Sequence, residues 1–231
     1  MLLKEVLLRL CEGEFADMPL GYVVTESPLD EHYAKLVRHI DMGLLELHKR
    51  FPLRIREVFI QQYDQITFYT LNSRFAVTNT ESTEPVKYIE DTPSNKFVDS
   101  DFLCVDRVFN EIGEELPLND NSQCNSLFTA GFNIIQVPCP VSTNSFLAHY
   151  RASHGNLSTT EQSDQVEVNC PYSHLEALLY YVVHRVLAST HIDESNNYLL
   201  KFEQSCNKLT ELNLLNEDNT PATQFQLGGW I

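Results

Sequence analysis

Eight histidines are the side chains of this sequence best suited to metal or acid–base chemistry, and their spacing fits neither. His32 and His39 lie seven apart on one helical stretch, with His48 beyond them. A helical zinc site needs the i, i+4 spacing of H-E-x-x-H, with a glutamate placed as general base. Asp41, Glu46 and His48 read instead as a solvated helix face. His149 and His154 fall at and just past a strand end, and His174, His184 and His191 lie on or after a helix. None sits at ligand spacing from a cysteine, so no metal and no other cofactor is expected.

The remaining chemistry-bearing groups are equally dispersed. Glu90-Asp91, Asp99 with Asp101, and Glu114-Glu115 are carboxylate pairs in sequence, but a glycosidase needs two carboxylates fixed across a cleft. Asp193-Glu194 suits the positive end of a helix. Cys139 lies between Pro138 and Pro140, with no base or helix terminus to activate it. Only eight glycines are present, without a phosphate-cradling loop or a G-x-S-x-G elbow. Aromatic residues such as Phe59, Phe68, Tyr69, Phe102, Phe109, Phe132, Phe146 and Tyr150 follow strand patterns. Base-stacking platforms pair such rings with basic grooves, so these read as core or interface residues. No enzymatic activity is expected.

Charge narrows the partners. The 231 residues include 32 acidic and 16 basic ones, a formal charge of −16. A duplex-gripping surface clusters Lys and Arg, because phosphate neutralisation supplies most of its affinity. An acidic surface serves solubility, or keeps the protein from sticking to a nearby polyanion. The N-terminus lacks the basic and apolar regions of a signal peptide, and no apolar run approaches the roughly 18 residues of a membrane span. Six scattered cysteines without C-x-x-C spacing read as reduced thiols. Cytosolic synthesis, with no membrane association, is expected.

The elements that must position these residues follow from periodicity. Leu2, Leu3, Val6, Leu7 and Leu10 share a helical face that Gly13 can end. Ser27, Pro28 and Asp30 form a start signal for a second helix. Its stripe runs Leu29, Tyr33, Leu36, Val37, Ile40, Leu44, Leu47, Phe51, and Pro52 stops it. Pro171 opens a third, with Leu175, Leu178, Leu179, Val182, Val183, Val186 and Leu187 on its stripe. A fourth runs from about Asp193 to Leu215, carrying Tyr198, Leu199, Phe202, Cys206 and Leu209.

Between Leu53 and Val168 the period changes to two. Val58 and Ile60, then Ile66, Phe68 and Thr70, predict two strands around a turn at Tyr63-Asp64. Further strands are expected at Phe102–Asn110, 115–118, 133–137 and 145–153, with Glu111 to Glu114 as a hairpin loop. Polar loops are expected at 72–85 and 157–164. The fold class is therefore α+β. Residues 1–53 and 169–215 form a helical bundle, 54–168 an inserted antiparallel β domain, and 216–231 an extended C-terminal arm. In that arm Phe225 and Leu227 alternate with glutamines ahead of Gly228, Gly229, Trp230 and Ile231. The pattern suits a strand docking on a partner, with docking on its own domain or disorder as alternatives.

Several short motifs carry a resemblance. They are Tyr33-x-x-Leu36-x-x-x-Ile40-x-x-Gly43-x-x-x-Leu47-His48-x-x-Phe51, Val58-x-Ile60-Gln61-Gln62 and Asp106-x-Val108-Phe109. Then come Glu115-Leu116-Pro117-Leu118-Asn119-Asp120, Phe132 to Pro138, Tyr150-x-Ala152-x-His154 and Phe225-x-Leu227-Gly228-Gly229-Trp230. In this order they resemble the head-to-tail adaptor proteins of tailed bacteriophages. The resemblance implies a non-enzymatic virion protein of the neck, a twelvefold self-assembled ring below the portal protein that also meets tail or nozzle proteins. Double-stranded DNA would pass through the ring without being read. The family offers no motif for the portal contact, so Phe225, Leu227, Gly228, Gly229, Trp230 and Ile231 are assigned to it from their pattern alone. The β insertion is large for a plain adaptor. A non-viral acidic interaction module, or an enzyme with a dispersed active site, are the competing readings.

Overall fold

Apolar residues recurring every three or four positions become buried stripes in a computed structural model that describes residues 1–15, 31–159 and 163–212. The protein is α+β, with helices from both ends of the sequence and antiparallel sheets from its middle. Two compact units divide it, one from Met1–Phe51 and Asn156–Ile231, the other from Pro52–Gly155.

In the helical unit, α1 (Leu3–Arg9) buries Leu3, Val6 and Leu7 and runs into a wider π turn, Leu10–Glu14. Gly13 does not end the helix, as the sequence suggests it could; the π turn carries through it to Phe15, whose N–H donates to the Leu10 carbonyl at 2.9 Å. The first N–H groups of a helix lack intrahelical acceptors. Here Leu3 donates to Val166 O at 2.9 Å and Lys4 to Ser163 O at 3.0 Å, while Val168 N–H donates to Met1 O at 2.8 Å. Residues 163–168 therefore run beside the N-terminus within the helical unit, and the β unit ends at Gly155 instead of at 168.

Helix α2 (Glu31–Arg50) buries Tyr33, Leu36, Val37, Ile40, Leu44 and Leu47. Phe51 closes it with an N–H bond to Leu47 O of 2.8 Å, and Pro52 cannot continue the ladder. Its start signals at Ser27, Pro28 and Asp30, and Leu29, lie outside the described residues. Pro171 caps α3 (Tyr172–Leu187), which packs along both α2 and α4 (Ile192–Glu211). Tyr181 meets Phe202 edge-on at 5.2 Å, and Arg50 forks onto Glu203 with bonds of 2.6 and 2.8 Å. The continuation of α4 to Leu215 lies outside the described residues.

The β unit holds eight strands: β1 (Ile55–Gln61), β2 (Phe68–Thr70), β3 (Ile89–Glu90), β4 (Phe102–Asn110), β5 (Glu115–Leu116), β6 (Phe128–Gly131), β7 (Ile134–Gln136) and β8 (Ser145–Ala152). They form a five-stranded sheet ordered β3-β1-β8-β4-β5 and a three-stranded sheet ordered β2-β7-β6, all antiparallel. Side chains from both build one core, in which Tyr69 touches Tyr88 at 5.1 Å and Phe146 at 5.8 Å. The turn beside Tyr63-Asp64 exists, but β1 and β2 do not pair across it; it carries the chain from one sheet to the other. Between β4 and β5 the expected hairpin forms, with Gly113 supplying the left-handed residue at φ 81°. Strands β1 and β8 lie side by side, and Ala152 N–H donates to Arg54 O at 2.8 Å where the unit begins and ends. The 72–85 segment is more structured than a plain polar loop. It holds a helical turn, Ser73–Phe75, and Thr78 donates from both N–H and hydroxyl to Asp91 at 2.9 and 2.5 Å.

Candidate interaction surface

Several histidines and carboxylates singled out in the sequence are held in structural contacts. His48 is buried, not solvated, with Nε2 at 3.3 Å from the Asn169 carbonyl. Its position on α2 turns it toward the apolar stripe, one residue after Leu47. Asp41 and Glu46 also find partners, Asp41 accepting from Leu157 N–H at 3.0 Å and Glu46 from Arg50 at 3.1 Å. His174 is buried on α3 against the Phe51 ring at 4.8 Å, and burial and then His48 hold its pKa below the ordinary value. His39 is held down likewise, by burial and then by Arg185. Among the described residues no three His, Cys, Asp or Glu side chains converge as a metal cage.

Two of the carboxylate pairs are split by local structure. Asp91 turns inward to Thr78 while Glu90 points to solvent on β3. Asp99 accepts from Ser73 N–H and Oγ at 2.6 Å, whereas Asp101 takes the Arg56 guanidinium at 2.5 Å and lies 3.9 Å from that of Arg54. Arg56 also donates to Asn95 Oδ1 and Lys96 O, both at 2.9 Å, so these ions tie residues 95–101 to β1. A shallow cavity of about 210 Å³ beside them is lined by Arg56, Asp91, Asn95, Phe97 and Tyr150. Cys139 is exposed, while burial pushes Cys170 up to about 12 and Cys206 to about 11.

What the fold does assemble is a surface. In the five-stranded sheet side chains alternate between the two faces except at two irregularities in β4, and the register fixes what the outer face shows. One row crosses all five strands as Glu90, Phe59, Leu147, Phe109 and Glu115. The next row is Glu57, His149 and Arg107, and the third is Ile55, Arg151 and Cys104. Phe59 and Ile55 are each 49% exposed, and Leu147 and Phe109 are half-buried. His149 lies 3.7 Å from Glu57 and 4.7 Å from the Phe109 ring centre, and Arg151 contacts Asp106 at 2.9 Å. Three adjacent apolar side chains, closed at each end by an exposed carboxylate, make a compact apolar patch on this face.

Of the aromatic residues singled out in the sequence, Tyr69, Phe102, Phe146 and Tyr150 are core, and Phe59, Phe68 and Phe132 are exposed. The roles of Glu90, Glu115 and Leu147 are not legible before the register is known. One signal was available, since β1 places large apolar residues on both of its faces. The partner-binding residues expected at the C-terminus, Phe225, Leu227, Gly228, Gly229, Trp230 and Ile231, lie outside the described residues. Among the described residues no helix is long and apolar enough to cross a membrane. Compared with protein-family models and with curated proteins, the sequence matches none.

Proposed function

We propose that this chain is a non-enzymatic structural subunit of a larger assembly, in the specific form of a head-to-tail adaptor of a tailed bacteriophage. In that role copies form a ring below the portal, join capsid to tail or nozzle proteins and line the DNA channel. The observation that carries the interaction reading is the apolar row Phe59, Leu147 and Phe109 displayed on the outer sheet face. The adaptor form rests on the sequence resemblance, and the charge of −16 suits it, since an acidic wall repels passing phosphates. Residues 223–231, ending Gly228-Gly229-Trp230-Ile231, supply the portal anchor in this reading.

The test is to mix purified chain with portal-bearing, tailless phage particles and image the vertex. Rings of bound subunits below the portal are expected, and a chain lacking residues 223–231 should fail to attach. Failure of the intact chain to bind would remove the adaptor reading. A non-viral interaction module would then be favoured by the same exposed row.

A further inference from the structure

We propose that the outer face of the five-stranded sheet receives a basic–apolar–basic segment of another protein, laid across the strands. Its apolar side chains would cover Phe59, Leu147 and Phe109, and a lysine or arginine near each end would reach Glu90 and Glu115. This deepens the assembly-subunit reading, on which it rests only in treating the face as an interface.

The chemistry of the occupant follows from the row. Glu90 and Glu115 are both exposed and stand at opposite edges, four strand intervals apart. At about 4.8 Å per interval the carboxylates bracket roughly 19 Å. A helix rising about 1.5 Å per residue spans that distance in about 13 residues. Its i, i+4 and i+8 positions would meet the apolar row, leaving its ends at the carboxylates. Glu111 and Glu114 in the adjoining hairpin add negative charge at the Glu115 edge. The arginines on this face lie in the neighbouring rows, where Arg151 contacts Asp106. Arg107 stands beside His149.

Charge also disfavours the other occupants. Residues 209–231 of this chain contain no Lys or Arg, so its own C-terminal segment offers nothing for Glu90 or Glu115. A two-fold pairing of identical faces would set carboxylate against carboxylate between subunits of charge −16. Nucleic acid would be repelled at both ends of the row.

The proposal is tested by titrating full-length chain with fluorescent 15-residue helical peptides carrying leucine at i, i+4 and i+8. One has two lysines at each end, and the control has glutamates there. The lysine peptide should bind at least tenfold tighter at low salt, with the difference shrinking at 0.5 M salt. Phe59→Ser, or Leu147→Gln as a second variant, should weaken it at least tenfold while the circular dichroism spectrum and Tm show a folded protein. Glu90→Gln with Glu115→Gln should remove most of the lysine preference, whereas Glu81→Gln with Glu211→Gln, an equal charge change elsewhere, should not. Equal binding of the two peptides, no binding of either, or equal effects of the two glutamine pairs would overturn the proposal. So would sedimentation showing a dimer that Phe59→Ser converts to monomer, because a second copy would then hold the face. None of these results bears on whether rings form at the portal.

Discussion

Gly43 of α2 faces Leu178 of α3 so closely that a Cβ on the glycine would stand 2.7 Å from the leucine Cδ1 and 3.0 Å from Tyr181 Cδ1. Leu178 is fully buried, so its methyl has little room to yield. Gly43→Val should therefore destabilise the helical unit by about 1–3 kcal/mol through overpacking. Gly43→Ala should cost less, because better helix propensity offsets part of the clash. Urea unfolding followed by circular dichroism checks both, and a Gly43→Val protein as stable as the parent would show that the two helices separate freely.

The Arg56–Asp101 pair is mostly shielded, with side-chain exposures of 19% and 12%. Removing one partner leaves the other charge poorly solvated. Asp101→Ala should lower stability by about 2–4 kcal/mol, somewhat below a fully buried pair because both ions retain some water. In a double-mutant cycle, Arg56→Met with Asp101→Ala should cost less than the sum of the single changes. Additive losses would show that the pair is not coupled.

Acid should weaken the helical unit. His39 and His174 have folded pKa values below their ordinary 6.5, held down by burial and then by Arg185 and His48 respectively. Below pH 6.5 the unfolded chain therefore binds more protons than the folded one. Stability is constant above that range, then falls as pH drops, by at most about 1.4 kcal/mol per unit for each imidazole, until the folded pKa is passed. Denaturant titrations between pH 8 and 5 should show the decline, and His174→Phe should reduce its slope while the His39 part remains. A slope unchanged by that substitution would place the proton uptake elsewhere.

Thiol reactivity should divide the cysteines by burial. Cys124 and Cys139 are exposed, whereas burial raises the Cys170 and Cys206 thiols. At pH 8 an alkylating reagent should label Cys124 and Cys139 in native protein and reach Cys170 and Cys206 only on unfolding. Peptide mass spectrometry reads the order, and early labelling of Cys206 would mean that α4 opens readily.

Duplex DNA should bind weakly or not at all even at low salt, where phosphate contacts are strongest. The basis is the twofold excess of acidic over basic residues. Gel-shift affinity below about 1 μM at low salt would contradict the passive channel in the adaptor reading.

The helices were legible because their apolar spacing is dense: every described residue of the α2 stripe from Tyr33 to Leu47 is buried. Strand β8 alternates strictly at period two, whereas β4 was legible only as an apolar run, because two irregularities in its pairing break its alternation. Strands β3 and β6 are too short, at two and four residues, to show a period. Sheet membership was hidden too, since β1 and β2 alternate alike yet enter different sheets. His48 was misjudged because it was grouped with the charged residues Asp41 and Glu46 of the same helix, which outweighed its place beside Leu47. The apolar row spans five strands from Ile55 to Ala152, so only the register brings Glu90 and Glu115 into one line.

The bond from Ala152 N–H to Arg54 O has an architectural consequence. Because β1 and β8 are neighbouring central strands, the first and last residues of the β unit lie next to each other. Such a unit behaves as a cassette: excising Pro52–Gly155 leaves two chain ends that a short glycine-rich linker can join. Another β unit whose ends lie equally close could therefore replace the inserted surface as a single module while the helices keep their own core.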